Sequence, residues 1–182
     1  MNKKLKIKNN ASSLLPSEWV KNNLSISNSD LNLLDLACGN GRHSIYAASI
    51  GYKVTSIDIN KNILLEMQNK EFIIPIQLDL EKNNIWPLKN KKFDVVIITN
   101  YLYRPIFKNI IKSMKPNGKL IYETFTEENS AFGKPNNKNY LLRPQELLKF
   151  SRNNKLEIIN YEEIILEKPI KKAVQRIFSI LK

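Results

Sequence analysis

The stretch LNLLDLACGNGRHSIYAASIGYKVTSIDIN, residues 31–60, decides the fold. It begins with an apolar run, turns at Gly39 and Gly41, continues to Gly51, and closes with a second apolar run and Asp58. This order predicts a strand, a glycine turn, a helix, a second strand and an acidic residue at that strand's tip. A chain with this layout can hold a nucleoside against the carboxyl ends of a parallel sheet.

The rest of the chain alternates helices and strands in the same way. The pattern predicts helices over residues 16–24, 41–50, 60–69, 105–114 and 144–150, and strands over residues 31–36, 53–57, 72–78, 93–99, 119–125, 156–163 and 173–181. Ser17 can cap the first helix. Nothing long separates the last two strands, so we expect them to pair antiparallel. The predicted fold class is α/β, a doubly wound, Rossmann-like, seven-stranded and mostly parallel sheet.

Two connecting features constrain this topology. Pro75 lies in the third strand, and because proline removes a ladder donor, that strand belongs at an edge of the sheet. Residues 115–118, KPNG, form a turn before the fifth strand, and residues 126–143 form a long polar and aromatic loop after it. A loop of that length in a compact domain is usually functional or disordered.

Length and composition favour a single domain over residues 1–182, with residues 1–15 as a polar, basic and flexible tail. At 42% hydrophobic and 25% charged residues, the chain is typical of globular proteins. No apolar run is long enough to span a bilayer, and no apolar segment of a secretory signal follows the basic N-terminus. The single cysteine fits a reducing compartment, so we expect a cytoplasmic protein without a membrane partner.

The net charge of +12 raises the question of nucleic-acid binding. Residues 1–10 contribute +4 and residues 168–182 contribute +5, which leaves +3 for everything between them. Most of the basic residues are lysines, whereas recognition surfaces more often show clustered arginine and interleaved aromatic residues. Nucleic acid therefore stays an alternative partner rather than the expected one.

Polar residues follow the second, third and fourth predicted strands. They are Asp58, Asp79 and Asn100. In a doubly wound sheet the carboxyl ends of these strands face one crevice, together with the glycine turn. A carboxylate at position 58 can accept the two hydroxyls of a ribose, while Asp79 and the N–H of Leu80 can pair with an adenine. The sequence therefore predicts a nucleoside site.

The glycine turn separates two classes of nucleotide-binding protein. A dinucleotide site favours G-x-G-x-x-G, but Ser44 stands where the third glycine would be. The turn instead resembles the first motif of class I S-adenosylmethionine-dependent methyltransferases, acidic-x-Gly-x-Gly-x-Gly. In this chain the motif runs from Asp35 to Gly41, with Ala37 in place of the first glycine. The extra methyl group of Ala37 tightens the turn slightly. The resemblance extends over about residues 16–181 and implies the strand order 3-2-1-4-5-7-6, with the last strand antiparallel.

Two further stretches are similar to a small bacterial group related to tellurite-resistance and thiopurine methyltransferases. They are FDVVIITNYLYRP, residues 93–105, and IYETFTEENSAFGKPNNKNYLLRPQELL, residues 121–148. The resemblance implies S-adenosyl-L-methionine as cofactor and assigns its binding to residues at the strand ends. Asp35, Gly39 and Gly41 would frame the methionine half, Asp58 would hold the ribose, and Asp79 and Leu80 would hold the adenine. Asn100 would face the methyl group, and Ala37 and Ile59 are further cofactor-binding candidates. Trp19 could pack over the cofactor or belong to the core.

The methyl acceptor should lie beyond the fourth and fifth strands. Candidates for acceptor contacts are Asn100, Tyr101, Tyr103 and Arg104, and Glu123 could act as a base or orient the nucleophile. The loop over residues 126–143, with Phe132, Gly133, Pro135 and Tyr140, is the candidate lid over the acceptor. Its Lys134 and Arg143 hint at an anionic acceptor.

Two reactive residue types in the glycine turn have simpler interpretations. His43, the only histidine, could touch substrate or simply begin a helix, and Cys38 is most simply a small residue that fits the turn. Neither has histidine or cysteine partners at ligand spacing, so we expect no metal site.

The resulting hypothesis is a methyltransferase that moves a methyl group in line onto a small-molecule acceptor. One alternative is an RNA methyltransferase that uses its basic termini. The others are an NAD-dependent oxidoreductase on a similar sheet and a cofactor-binding regulator without enzymatic activity. Oligomeric state is left open by the sequence.

Overall fold

The computed structural model describes residues 15–82, 86, 88 and 90–182. The predicted tail therefore lies outside the described residues, apart from Leu15. In the described part of the chain, no helix combines the length and the apolarity needed to cross a bilayer.

Five α-helices and seven strands are found along the described chain. The helices are α1 (Glu18–Asn23), α2 (Arg42–Ser49), α3 (Lys61–Leu65), α4 (Phe107–Lys112) and α5 (Glu146–Asn153). The strands are β1 (Asn32–Leu36), β2 (Lys53–Asp58), β3 (Ile73–Gln77), β4 (Phe93–Thr99), β5 (Met114–Phe125), β6 (Leu156–Leu166) and β7 (Lys172–Leu181).

The strands form one sheet in the order β3-β2-β1-β4-β5-β7-β6. All pairs from β3 to β5 are parallel, whereas β7 runs antiparallel to both β5 and β6. Pro75 lies on β3 at the sheet edge, opposite Ser56 of β2. The predicted fold class, strand order and edge position are therefore confirmed.

The fifth strand differs from its prediction. It begins at Met114 rather than Lys119, because Met114 pairs with Phe93 at the start of β4. The register then shifts, and Asn117 takes a left-handed conformation with a φ of 61°. Residues 115–118 thus form a bulge within a strand pair rather than a turn between a helix and a strand.

The long loop after β5 is folded rather than open. Short 3-10 turns occupy Glu127–Ala131 and Lys138–Tyr140, and Thr126 forms an isolated bridge with Leu142. The Asn129 side chain is buried, with Oδ1 accepting from the N–H of Ala173 and Nδ2 donating to the carbonyl of Pro135. The loop is therefore anchored to the start of β7.

Both faces of the sheet are covered, as expected of a mostly parallel sheet. In β4, Val95 and Ile97 belong to the apolar cluster that includes residues of α1 and α2, whereas Val96 and Ile98 belong to the cluster of α4 and α5. All four side chains are at most 1% exposed. Burial on both faces holds β1 and β4 rigidly at the centre of the sheet, so the loops that follow their carboxyl ends start from fixed positions.

Candidate cofactor and acceptor site

The glycine turn between β1 and α2 is built from left-handed backbone positions. Ala37, Gly39 and Gly41 have φ values of 53°, 54° and 71°. The N–H of Cys38 donates to the carbonyl of Ile57 at 2.9 Å. Ala37 adopts the conformation that a glycine would adopt more easily, so the alanine strains the turn without changing its path.

Asp58 connects this turn to the tip of β2. Its Oδ2 accepts from the N–H of Gly39 at 2.8 Å, and its Oδ1 accepts from the N–H of Asn60 at 2.9 Å. An ionised carboxylate has about four acceptor positions, so two backbone bonds orient Asp58 without exhausting its capacity. The half-buried carboxylate can still accept hydroxyl hydrogens from a ligand.

The two glycines of the turn meet different surroundings. A Cβ at Gly39 would meet no atom within 4 Å, whereas a Cβ at Gly41 would lie 1.9 Å from Sδ of Met67. A side chain at Gly41 would therefore displace the buried Met67 side chain. Gly39 instead borders open space, and its N–H donates to the neighbouring Asp58 carboxylate.

Asp35 lies beneath the turn and is fully buried. Its Oδ2 accepts from the Ser44 hydroxyl at 2.6 Å, and Ser44 in turn accepts from the Ser56 hydroxyl at 2.7 Å, while Oδ1 has no hydrogen-bond partner. Burial raises the pKa of Asp35 to about 7. Asp35 thus joins β1, α2 and β2 internally, and the serine at the third-glycine position is one of its partners.

The adenine-side candidates lie at the next strand end. Oδ1 of Asp79 accepts from the N–H of Glu81 at 2.9 Å, and Leu80 packs partly buried against the core. The N–H of Leu78 donates to the carbonyl of Asp58, which joins the ends of β2 and β3. Ile59 is 59% exposed beside them and offers an apolar surface.

His43 links α1 to the sheet. Its Nε2 accepts from the N–H of Ser17 at 3.2 Å, and its Nδ1 lies 3.2 Å from Oγ1 of Thr99. Burial, with the nearby Arg42 charge, lowers the pKa of His43 to about 3, so the ring is neutral at physiological pH. The geometry supports the structural interpretation of this histidine, and Ser17 caps α1 as predicted, accepting from the N–H of Val20.

Trp19 is 4% exposed and belongs to the core on the α1 face. Its Nε1 donates to the carbonyl of Ile177 at 3.4 Å, and the Arg176 guanidinium lies 4.9 Å from its ring centroid. These contacts are internal ones, so the structure places Trp19 among core residues rather than over the crevice.

Among the acceptor-side candidates, Asn100, Tyr101 and Tyr103 have contacts of a different kind from those of Arg104. Asn100 is exposed with a φ of 54°, and its N–H donates to the carbonyl of Glu123 at 2.9 Å, so the ends of β4 and β5 meet. Tyr101 is half-buried, and burial raises the pKa of its phenol. The Tyr103 hydroxyl donates to the carbonyl of Glu81 at 3.4 Å.

Arg104 is occupied by structural contacts. Its Nε and Nη2 form a bidentate pair with Glu146 at 2.6 and 2.8 Å, and its remaining donors reach the carbonyls of Asn139 and Leu141. The guanidinium therefore ties the candidate lid to α5. Bidentate pairs of this kind fix geometry strongly.

The residues named for the lid lie mostly at the surface. Phe132 is half-buried with Nζ of Lys171 at 5.1 Å from its ring centroid, whereas Gly133, Lys134, Tyr140 and Arg143 are exposed. Pro135 accepts the Asn129 amide through its carbonyl. The two cations that hinted at an anionic acceptor thus lie at exposed positions.

Three cations near the crevice were not singled out as site residues from the sequence: Arg42, Lys172 and Arg176. Arg42 donates to the carbonyl of Leu15, and it interacts electrostatically with Glu123 and Asp35. Lys172 and Arg176 both form ion pairs with Glu123. Pairing of β7 with β5 sets Arg176 opposite Glu123, a relation that depends on the register of the hairpin.

The residues around the crevice include possible metal ligands and one cysteine thiol. Within the described ranges, no group of three or more His, Cys, Asp or Glu side chains could hold a metal ion. Cys38 is 6% exposed, and burial raises the pKa of its thiol. A raised pKa makes the reactive thiolate rare.

Comparison with known proteins now identifies the family. A family profile described as "Methyltransferase domain" matches residues 27–178. The chain belongs to this methyltransferase family. The predicted membership of the S-adenosylmethionine-dependent methyltransferases is thereby confirmed, and S-adenosyl-L-methionine is the cofactor that the family implies.

Three relatives illustrate the similarity. The Haemophilus influenzae protein named "Probable S-adenosyl-L-methionine-dependent methyltransferase TehB" is 37% identical over 95 residues, 48% of this chain and 32% of TehB. YqeM of Bacillus subtilis, named as a methyltransferase, is 33% identical over 104 residues, 50% of this chain and 41% of YqeM. The crystal structure of Haemophilus influenzae TehB superposes with a TM-score of 0.67 and 26% identity over 85% of this chain and 59% of TehB. The chain thus matches less than half the length of these two curated relatives.

The contrast between the two glycines predicts different consequences of alanine substitution. Alanine in the left-handed conformation lowers folding stability by about 1–2 kcal/mol at either position. In Gly41→Ala, steric overlap with Met67 lowers it by about 1–3 kcal/mol more. Urea unfolding should therefore show a larger loss of stability for Gly41→Ala than for Gly39→Ala. Equal losses would contradict the packing role of Gly41.

The burial of Asp35 predicts a pH-dependent effect of Asp35→Asn. Between pH 4 and 7 the folded protein keeps a proton that the unfolded chain releases, so Asp35 lowers wild-type stability as the pH rises. The stability of the variant relative to wild type should increase with pH by up to about 1.4 kcal/mol per unit. Urea unfolding at several pH values measures this difference, and parallel curves would show that Asp35 does not titrate in that window.

Proposed function

We propose that this protein transfers a methyl group from S-adenosyl-L-methionine to a small-molecule acceptor. The observation that carries the proposal is the bond between Asp58 and the N–H of Gly39, which places a ligand-competent carboxylate beside open space at the glycine turn. Asp79 and Asn100 follow the neighbouring strands at the same edge of the sheet. We treat residues 1–182 as one domain in this proposal.

The described residues fit the proposed cofactor. The absent Cβ of Gly39 leaves room for a ligand against the backbone, and Asp58 has acceptor capacity for ribose hydroxyls. Exposed Ile59 and half-buried Asp79 would hold the adenine. Arg42, at the first turn of α2, supplies a positive charge for the carboxylate of the methionine half.

Three of the predicted cofactor residues act less directly in this proposal. Asp35 supports the turn from below through Ser44, Ala37 shapes the turn, and Trp19 packs under α1. Each of them positions backbone that faces the crevice. Their roles are those of the scaffold around the cofactor.

When bound, the cofactor supplies an electrophilic methyl group on a sulfonium centre. The residues of this chain align the acceptor with that group and exclude water. Alignment of this kind can supply roughly 7–11 kcal/mol of a barrier at best. Asn100, whose left-handed backbone turns at the end of β4, is the proposed neighbour of the methyl group.

The placement of the C-terminal charges supports a small acceptor over RNA. Lys172 pairs with Glu123, Lys171 with Glu167, and Lys182 with Glu157. These cations are neutralised within the domain and do not form a free basic stripe. The basic residues 3–8 lie outside the described residues.

Methyl transfer itself is tested with a tritium-labelled donor. We expect label to enter a low-molecular-mass extract of the source cells and not its RNA. Label in RNA, together with salt-sensitive retention of RNA by the protein, would favour the alternative acceptor. Tighter calorimetric binding of NAD than of S-adenosylmethionine would overturn the proposal.

Asp58→Asn should weaken binding of S-adenosylhomocysteine by about 1–3 kcal/mol, because the amide is a poorer partner for both ribose hydroxyls. Isothermal titration calorimetry measures the dissociation constant, and thermal unfolding checks that the variant is folded.

Asp94→Asn is the matched control. Asp94 accepts from the N–H of Asn32 and from Lys115, at the opposite end of the central strands. This change should lower stability without altering the dissociation constant. An Asp58→Asn variant that binds as tightly as wild type would remove Asp58 from the ribose site.

A further inference from the structure

An ionic cluster around the buried Glu123 side chain lies near the carboxyl end of β5 and the start of β7. Its charged members are Glu123, Lys172, Arg176 and Glu162, and Trp19 of α1 contacts Arg176. Glu123 is 1% exposed, and its Oε1 accepts from Nζ of Lys172 at 3.1 Å. Oε2 has no hydrogen-bond partner, although it is equally buried.

The Arg176 cation does not satisfy Oε2 of Glu123. Nη1 of Arg176 lies 3.7 Å away, too far for a hydrogen bond. Nε and Nη2 of Arg176 both lie 2.6 Å from Oε2 of Glu162, and its guanidinium lies over the Trp19 ring. These contacts hold the arginine away from the free oxygen of Glu123.

A buried carboxylate oxygen without a donor is costly, by roughly 1–3 kcal/mol or more. Such a cost is tolerated where a ligand completes the bonding. Glu123 stands next to the proposed reaction site, since its carbonyl accepts the N–H of Asn100 and it pairs with Thr99 across the sheet. A hydrogen-bond donor on the methyl acceptor would satisfy Oε2 of Glu123.

We propose that Oε2 of Glu123 accepts the hydrogen that the methyl acceptor carries on its nucleophilic atom. This inference rests on the proposed methyltransferase function. It defines the acceptor class as a hydroxyl, amine or thiol, written X–H. An anionic acceptor without a hydrogen would instead meet a buried negative charge, and the cations Lys172 and Arg176 already have carboxylate partners.

The proposed step transfers a methyl group and a proton. The X–methyl bond forms while the methyl–sulfur bond breaks, and the electron pair of that bond stays on sulfur. As X gains the methyl group it becomes positively charged, which makes its hydrogen strongly acidic. The proton then passes to Oε2 of Glu123 and later to solvent.

Lys172 acts as a positioning residue, because it binds one oxygen of Glu123 and leaves the other free. The charged groups that face Glu123 are Lys172 and Arg176 of β7 and Arg42 of α2. His43 of α2 is neutral. Removal of the Lys172 cation should therefore leave Oε1 of Glu123 without its donor, so that Oε2 is no longer held in place.

The first test compares Glu123→Gln with wild type in transfer of tritiated methyl to the small-molecule extract. Glutamine keeps an acceptor for Lys172 but cannot take up the proton. We expect transfer to fall about 100-fold or more, while binding of S-adenosylhomocysteine changes less than about threefold. Glu157→Gln, the same change at an exposed ion pair of β6, is the control and should keep wild-type transfer.

The second test compares Lys172→Met with Lys172→Arg, which keeps a cation that can donate to Oε1 of Glu123. We expect Lys172→Met to lower the rate of methyl transfer while binding of S-adenosylhomocysteine stays unchanged, and Lys172→Arg to restore most of that rate. A wild-type transfer rate in a folded Lys172→Met variant would overturn the role of Lys172.

The chemical class of the labelled product gives an independent readout. Ethers, thioethers and N-methyl compounds keep their label in mild base, whereas methyl esters release it as methanol. Base-stable label supports an X–H acceptor. Release as methanol, or transfer by Glu123→Gln within threefold of wild type, would overturn the inference. Failure of the proposed function itself looks different, because wild type would then transfer no label.

Discussion

The hydrogen bond from the N–H of Gly39 to Oδ2 of Asp58 is the constraint on which the site depends. It joins a turn in left-handed conformation to the tip of the neighbouring strand, so the turn cannot move without β2. The parallel pairing of β1 with β2 and β4 sets where both ends of that bond lie. A nucleoside site then needs only a ligand that uses the remaining acceptor positions of Asp58.

Buried polar groups also join neighbouring elements at the other strand ends. Asp35 is held by Ser44 beneath the turn, His43 joins Ser17 to Thr99, and Glu123 is held by Lys172. Each group is costly to bury. His43 has a partner at both ring nitrogens, whereas Asp35 and Glu123 each keep one oxygen without a hydrogen bond. Stability is thus reduced at the same edge where binding and proton transfer are proposed, which is common at functional sites.

The sequence predicted most of the fold because apolar periodicity and the proline of β3 restrict a doubly wound sheet strongly. It failed at β5, since Lys115–Gly118 reads as a local turn while pairing with Phe93 depends on distant residues. Strand-end residues such as Asp58 could be predicted from their position after apolar runs. The ion pairs of Arg104 with Glu146 and of Glu123 with Lys172 could not, because they depend on loop packing and hairpin register. Trp19 was ambiguous for the same reason, as only α1 packing places it in the core.

The most direct test of this account is a crystal structure of the protein with S-adenosylhomocysteine. Both ribose hydroxyls should lie within hydrogen-bond distance of the Asp58 carboxylate, with the ligand passing over Gly39. An adenosyl group bound elsewhere, with Asp58 contacting only Gly39 and Asn60, would contradict it.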